Sequence, residues 1–128
     1  MAQRTDAALD RLRARCMALP EVTERLSHGE PAWFCGRQFV MYSDHHHDAR
    51  LGFWCAAPDG AQAARANADP GRYFRPPYVG GRGWLGVYLD VEVDWEEVGD
   101  IVVDAYRMVA PRRLLARLDG DGTGTANG

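Results

Sequence analysis

Ala32-Trp33-Phe34-Cys35-Gly36-Arg37-Gln38-Phe39-Val40-Met41-Tyr42-Ser43 is the stretch on which the fold turns. Two apolar runs, Ala32 to Cys35 and Gln38 to Ser43, flank Gly36-Arg37. Glycine at the first central position is what a two-residue type II′ hairpin requires, so the pattern predicts antiparallel strands turning at Gly36-Arg37. Upstream, Val22 to His28 reads as a strand with Val22, Glu24, Leu26 and His28 on one side, broken by Gly29-Glu30-Pro31. Downstream, Arg50 to Ala56 sets Leu51, Phe53 and Cys55 against Gly52, Trp54 and Ala56, and Trp84 to Asp90 alternates likewise.

Helical spacing flanks these strands. Leu9, Leu12, Cys16 and Leu19 recur every three or four residues between Thr5 and the stop at Pro20. Alanine-rich Pro58 to Ala68 predicts a short helix, ended by Asp69-Pro70-Gly71. The strongest helix runs from Asp94 to Val109, with Val98, Ile101, Val102, Ala105 and Val109 as its apolar face. Asp94 and Glu97 stand at capping-box spacing. Beyond Pro111, Arg112 to Leu118 predicts one or two further turns, and Asp119 to Gly128 a disordered tail. The order predicts an α+β protein: a five-stranded antiparallel sheet with the N- and C-terminal helices packed on one face. Residues 1–118 form the single expected domain.

A chain of 128 residues buries enough surface for a core without metal or disulfide staples. Three cysteines, Cys16, Cys35 and Cys55, form no C-x-x-C pair and predict buried thiols. No run of eighteen apolar residues predicts a membrane span, and the charged N-terminus lacks the apolar h-region of a secretory signal. A cytoplasmic location is expected. The net charge of −3 does not favour a generic polyanion binder, which carries a basic excess. Charge is nonetheless segregated. Acids gather from Asp90 to Asp104, while Arg65, Arg72, Arg75 and Arg82 have only Asp69 among them.

The sequence offers little for catalysis. Neither Ser27 nor Ser43 lies in a nucleophile-elbow setting, and Gly80-Gly81-Arg82-Gly83 lacks the Lys-Ser/Thr of a phosphate loop. His28 and Cys35 are the one candidate dyad, facing each other across neighbouring strands with no third group to orient them. Asp44-His45-His46-His47-Asp48 suggests a metal, but side chains of adjacent strand residues alternate, and a site would need ligands from elsewhere. It is read as a solvated hairpin tip. No metal, cofactor or enzyme activity is expected.

The segment Asp69 to Trp84 interleaves Arg72, Tyr73, Arg75, Tyr78, Arg82 and Trp84 through a stretch rich in proline and glycine. Guanidinium groups fork onto phosphate, and both they and the rings stack on bases. The bland alternative is an ordered loop whose rings plug the sheet edge and whose arginines pair with the acidic helix.

Asp69-Pro70-Gly71-Arg72-Tyr73-Phe74-Arg75-Pro76-Pro77-Tyr78-Val79, followed by Arg82-Gly83-Trp84 and Asp94-Trp95, resembles the signature of the MmcQ/YjbR family. Leu26-Ser27-His28-Gly29-Glu30-Pro31 is similar to that family's Trp-Gly-x-Pro-like turn, with His28 where Trp is common. Ala105-Tyr106-Arg107-Met108-Val109-Ala110-Pro111 resembles its last helix. The likeness spans about residues 15–115. It implies a CyaY-like fold and a non-enzymatic DNA-binding role. In nucleic-acid binding, the arginine and ring chemistry of this segment would put Arg72, Arg75 and Arg82 on phosphates, with Tyr73, Tyr78 or Trp84 supporting or stacking. Relatives beside antibiotic-biosynthesis genes imply a second role in holding a planar natural product. Trp33, Phe53, Trp54, Tyr73 and Trp84 would then line an apolar cleft, with an arginine fixing orientation. The partners expected are therefore DNA or a small aromatic ligand, for a monomer or a homodimer paired by a sheet edge.

Overall fold

The computed structural model describes residues 7–45 and 50–123. Helix α1 (Ala7–Met17) leads into strands β1 (Thr23–Ser27), β2 (Glu30–Cys35), β3 (Arg37–Asp44) and β4 (Leu51–Cys55). Then come α2 (Ala61–Ala68), β5 (Tyr73–Phe74), a 3-10 turn at Gly80–Arg82, β6 (Leu85–Tyr88), α3 (Trp95–Val109) and α4 (Arg112–Thr123).

The sheet has six antiparallel strands in the order β1-β2-β3-β4-β6-β5, one more than the five expected. The addition is β5, whose two residues pair with Val87 and Gly86. Gly71 and Pro76 bracket it, so it is too short to show as a periodic run. The hairpins also differ from expectation. Cys35 pairs with Arg37, leaving Gly36 (φ 89°) alone at the tip instead of a two-residue turn. The two-residue turn lies one hairpin earlier, where His28 (φ 54°) and Gly29 (φ 82°) both take the left-handed conformation of a type I′ loop. His28 and Cys35 consequently sit at opposite ends of β2 and form no dyad. Helix α2 begins at Ala61, not Pro58, because Gly60 (φ 84°) turns the chain first. Helix α4 runs past Leu118 to Thr123, where a tail was expected. Leu114 is buried, and Arg107 on α3 holds Asp119 at 2.6 Å. Residues 124–128 and the His46-His47-Asp48 part of the histidine run lie outside the described residues. No metal-holding group of side chains occurs among the described ones.

Strand alternation sorts the side chains. Trp33, Val40, Tyr42, Phe53, Cys55, Leu85 and Val87 share the face covered by α1 and α3, and all are buried. Leu12 and Cys16 of α1 meet them, as do Val98, Ile101, Val102, Ala105 and Tyr106 of α3. The register shifts between Trp33 and Phe34, so that Phe39 has no partner of its own on β2. This bulge puts Phe39 and Val40, neighbours in sequence, both into the core, where the Phe39 ring meets Tyr106 edge-on at 5.6 Å. Asp94 caps α3 by accepting hydrogen bonds from the amides of Glu96 and Glu97 at 3.1 and 3.2 Å.

Ion pairs lock the elements together. Arg13 of α1 forks onto Glu24 at 2.8 and 3.0 Å, and Arg50 onto Asp90 at 2.7 Å twice. Glu97 accepts from Tyr73 and from Arg65. Hydrogen bonds from Arg13, Arg50 and Tyr73 hold the respective carboxyls below their ordinary values. Lowered carboxylate pKa values stabilise the fold above the unfolded range near 4, and that stabilisation disappears as pH falls through the lower folded values. The midpoint of thermal unfolding should stay nearly level from pH 7 to 5 and fall below about pH 4. A midpoint unchanged down to pH 3 would show that these pairs do not couple to folding.

Candidate ligand-binding site

The helix-free face of the sheet is not flat. Ser27 faces Glu30 on β2, whereas Gln38 faces Phe34, four residues further along. In a flat sheet one intervening strand and that offset would hold the two roughly 16 Å apart. Yet the Ser27 hydroxyl lies 3.5 Å from Gln38 Oε1. The first three strands therefore coil strongly, as expected where a bulge adds to the native twist. The outcome is a trough.

The segment between β5 and β6 forms the far wall. Pro76-Pro77 carries the chain over the sheet, and Tyr78 adopts a left-handed conformation (φ 66°) uncommon for a bulky residue. Trp84 then turns back under the 3-10 turn, its amide donating to the Val79 carbonyl at 3.4 Å. Gln62 of α2 ties the segment down by donating to the carbonyls of Gly80 and Trp84 at 2.8 and 2.6 Å. Between the wall and the sheet lies a cavity of about 530 Å³. Met41, Trp54, Val79 and Trp84 give it apolar surface, Ser27, His28 and Gln38 polar groups, and Arg37 and Arg82 charge. Tyr78 stands at its mouth, 85% exposed, with its ring 6.5 Å from that of Trp54.

The charge in this lining is one-sided. Among the described residues no carboxylate lines the cavity. Arg13, Arg50, Arg65, Arg107, Arg113 and Arg117 each hold a carboxylate within 3.0 Å. Arg37 and Arg82 make no ion pair among the described residues, and the Arg82 guanidinium lies over the Trp84 ring, 5.6 Å from its centroid.

Of the six residues singled out in the sequence, the structure brings Tyr78, Arg82 and Trp84 together here. Arg75 is exposed but lies behind the wall, its stem packed on Gly80 so closely that a Cβ there would come within 2.7 Å of Arg75 Cγ. Arg75 thus braces the turn without lining the cavity. Arg72 and Tyr73 belong elsewhere, beside the start of α3. Arg72 pairs with Asp69 at 3.4 Å. Tyr73 is buried on the helix-covered face, its hydroxyl donating to Glu97, and burial together with that carboxylate pushes its pKa up to about 12. Alternation along β5 sends Tyr73, paired with Val87, to the helix-covered face and Phe74, paired with Gly86, to the other. The acidic helix therefore ties up Arg65, and not the arginines of the wall.

Among the aromatics expected to line a cleft, Trp54 and Trp84 do so, whereas Trp33, Phe53 and Tyr73 face the helices. Sequence reasoning missed Ser27, His28, Arg37, Gln38 and Met41. Simple alternation sets Gln38 and Met41 on opposite faces, and only the bulge at Phe39 unites them. The cysteine of the proposed dyad is also poorly suited to attack, because burial pushes the Cys35 thiol up to about 11.

Among described residues no helix is long and apolar enough to cross a membrane. No curated protein matches the chain. Among solved structures, the crystal structure of Deinococcus radiodurans protein DR2400, a DUF419 domain, is similar. It shares 17% identity with a TM-score of 0.69, and the match covers 87% of each chain. That likeness supports the α+β fold with its antiparallel sheet. The YjbR family model matches residues 17–108, more than half of the chain, a span that holds all six strands, α2 and all but the last residue of α3. The chain belongs to the YjbR family.

Proposed function

We propose that this domain is a non-enzymatic receptor for a small planar molecule bound in the trough on the helix-free face. The observation that carries the reading is the cavity of about 530 Å³ floored by Trp54, Trp84 and Met41. Its volume lies within the range of small-molecule sites, and its mix of apolar floor with few polar groups is typical of them. Indoles and a thioether favour flat, polarisable ligands. The one aliphatic hydroxyl among the described lining residues, that of Ser27, is directed at Gln38 and not at a base, which supports binding without chemistry.

The DNA-binding role that the family resemblance implies has less support in this geometry. Arg72 is paired and lies apart from Arg82, so the arginines of the motif do not form one basic surface.

A neutral fluorophore, N-phenyl-1-naphthylamine, tests the receptor reading. It should bind one-to-one, and Trp54→Ala should weaken it about tenfold or more. Because Trp54 is nearly buried, Tyr78→Ala provides a variant at an exposed position, expected to weaken binding severalfold while unfolding at the same temperature. A 20-base-pair duplex titrated in parallel should bind weakly and lose what affinity it has as salt rises. Failure of the fluorophore to bind would overturn the receptor reading. Tight duplex binding at 150 mM salt, lost in Arg75→Ala and Arg82→Ala, would replace it with the nucleic-acid one.

A further inference from the structure

We infer that the trough selects anionic ligands, namely aromatic acids whose ring lies on Trp54 and Trp84 and whose acid group is held by Arg37 and Arg82. This rests on the receptor reading and adds a ligand class to it. The two arginines come from separate elements, the first residue of β3 and the last of the 3-10 turn, yet both line one cavity. Neither has a carboxylate partner among the described residues, and the cavity lining contains none. Two like charges on one partly enclosed space repel, and a bound anion relieves that repulsion.

The groups fit an acid in kind as well as in sign. Guanidinium forks match the two oxygens of a carboxylate or the oxygens of a phosphate ester. Gln38 carries two amide hydrogens, and Ser27, whose contact with Gln38 is stretched to 3.5 Å, has a hydroxyl available to a better acceptor. Arg82 already lies over the Trp84 ring, so a ligand ring on the indole floor brings its acid substituent beside that guanidinium. A neutral aromatic compound would use the floor and leave both charges without a counterion.

Three ligands of one ring system separate the outcomes: 2-naphthoate, 2-naphthyl phosphate and the neutral 2-naphthamide, each measured by calorimetry. At 50 mM salt at least one acid should bind about tenfold or more tighter than the amide, and its advantage should shrink at 500 mM. Which acid binds tighter distinguishes a carboxylate source from a phosphate one. Arg37→Ala and Arg82→Ala should each reduce the acid-over-amide ratio severalfold, and the double variant should bring it near one, while the unfolding temperature changes little. Arg72→Ala, outside the trough, should leave the ratio unchanged. If the amide binds as tightly as both acids, or the double variant keeps the preference, the anion inference fails and the receptor reading stands. If none of the three binds, both fall.

Discussion

Truncating Trp33 to alanine should cost about 4 kcal/mol of folding stability, a large part of what a domain of this size possesses. Trp33 is fully buried at the centre of β2, between Glu24 on β1 and Val40 on β3. Two losses combine. Removing an indole from a close-packed interior forfeits its transfer free energy and leaves a cavity that neighbours refill only in part. The indole N–H also donates to Glu24 Oε1 at 3.0 Å, on the same carboxylate that receives the Arg13 fork. Trp33 therefore joins α1, β1 and β2 through one acid. Trp33→Phe separates the contributions in part, because it keeps an aromatic ring while removing the donor and a smaller share of the buried volume. It should cost about 1–2 kcal/mol. Urea denaturation of the three proteins measures both steps. A loss below about 1 kcal/mol in the alanine variant would mean that the core collapses around the gap, and the interlocking role would be wrong.

The same residue shows where sequence stops determining the site. Trp33 and Trp54 are both tryptophans in apolar strand segments, and both were candidates for a cleft. Period-two alternation assigns residues of one strand to opposite faces. It does not say which face the helices will cover. The apolar face of α3 was legible from Val98 to Val109 because its spacing is helical and its cap is a short-range hydrogen-bond pattern. Ladder partners are long-range, and a bulge changes their parity without a local signature. Phe39-Val40-Met41-Tyr42 reads as an unbroken apolar run. Only pairing with Trp33 and Phe34 reveals that one residue is extra. Arg37 was visible as a turn residue and not as a charge on the trough, since the coiling that brings Gln38 to Ser27 is a property of three strands together. The wall was more legible. Tyr78, Arg82 and Trp84 stand close in sequence, and prolines and glycines fix their path. Arg72 and Tyr73 share that motif, but two residues of strand β5 are enough to send Tyr73 through to the opposite side of the sheet.

Gly52→Ala should be nearly as damaging as the loss of Trp33, though it adds only a methyl group. Gly52 lies in β4 at the middle of the sheet, paired with Ser43 on one side and Tyr88 on the other. A Cβ built on it would stand 2.5 Å from the Val87 carbonyl oxygen, well inside contact distance. The obstacle is backbone, so no rotamer change relieves it. Strands β4 and β6 must separate or the ladder must slip. Separation weakens the pairing of Phe53 with Val87, two core residues, and strains the join between the β1–β4 half of the sheet and the β6–β5 edge. Overpacking of this kind costs typically 1–3 kcal/mol, and an obstruction by main chain belongs at the upper end, about 3 kcal/mol. For a domain of this length that lowers the unfolding midpoint by roughly 10 °C. Gly86→Ala provides the contrast. Its Cβ would meet the Phe74 ring at 2.4 Å, and a side chain on the two-residue edge strand can shift where main chain cannot, at the expense of its stacking on Tyr88. Its loss should be the smaller of the two. Equal unfolding midpoints for Gly52→Ala and wild type would show that the strands give way freely here. The rigid platform on which β6, Trp84 and the wall of the trough depend would then not exist.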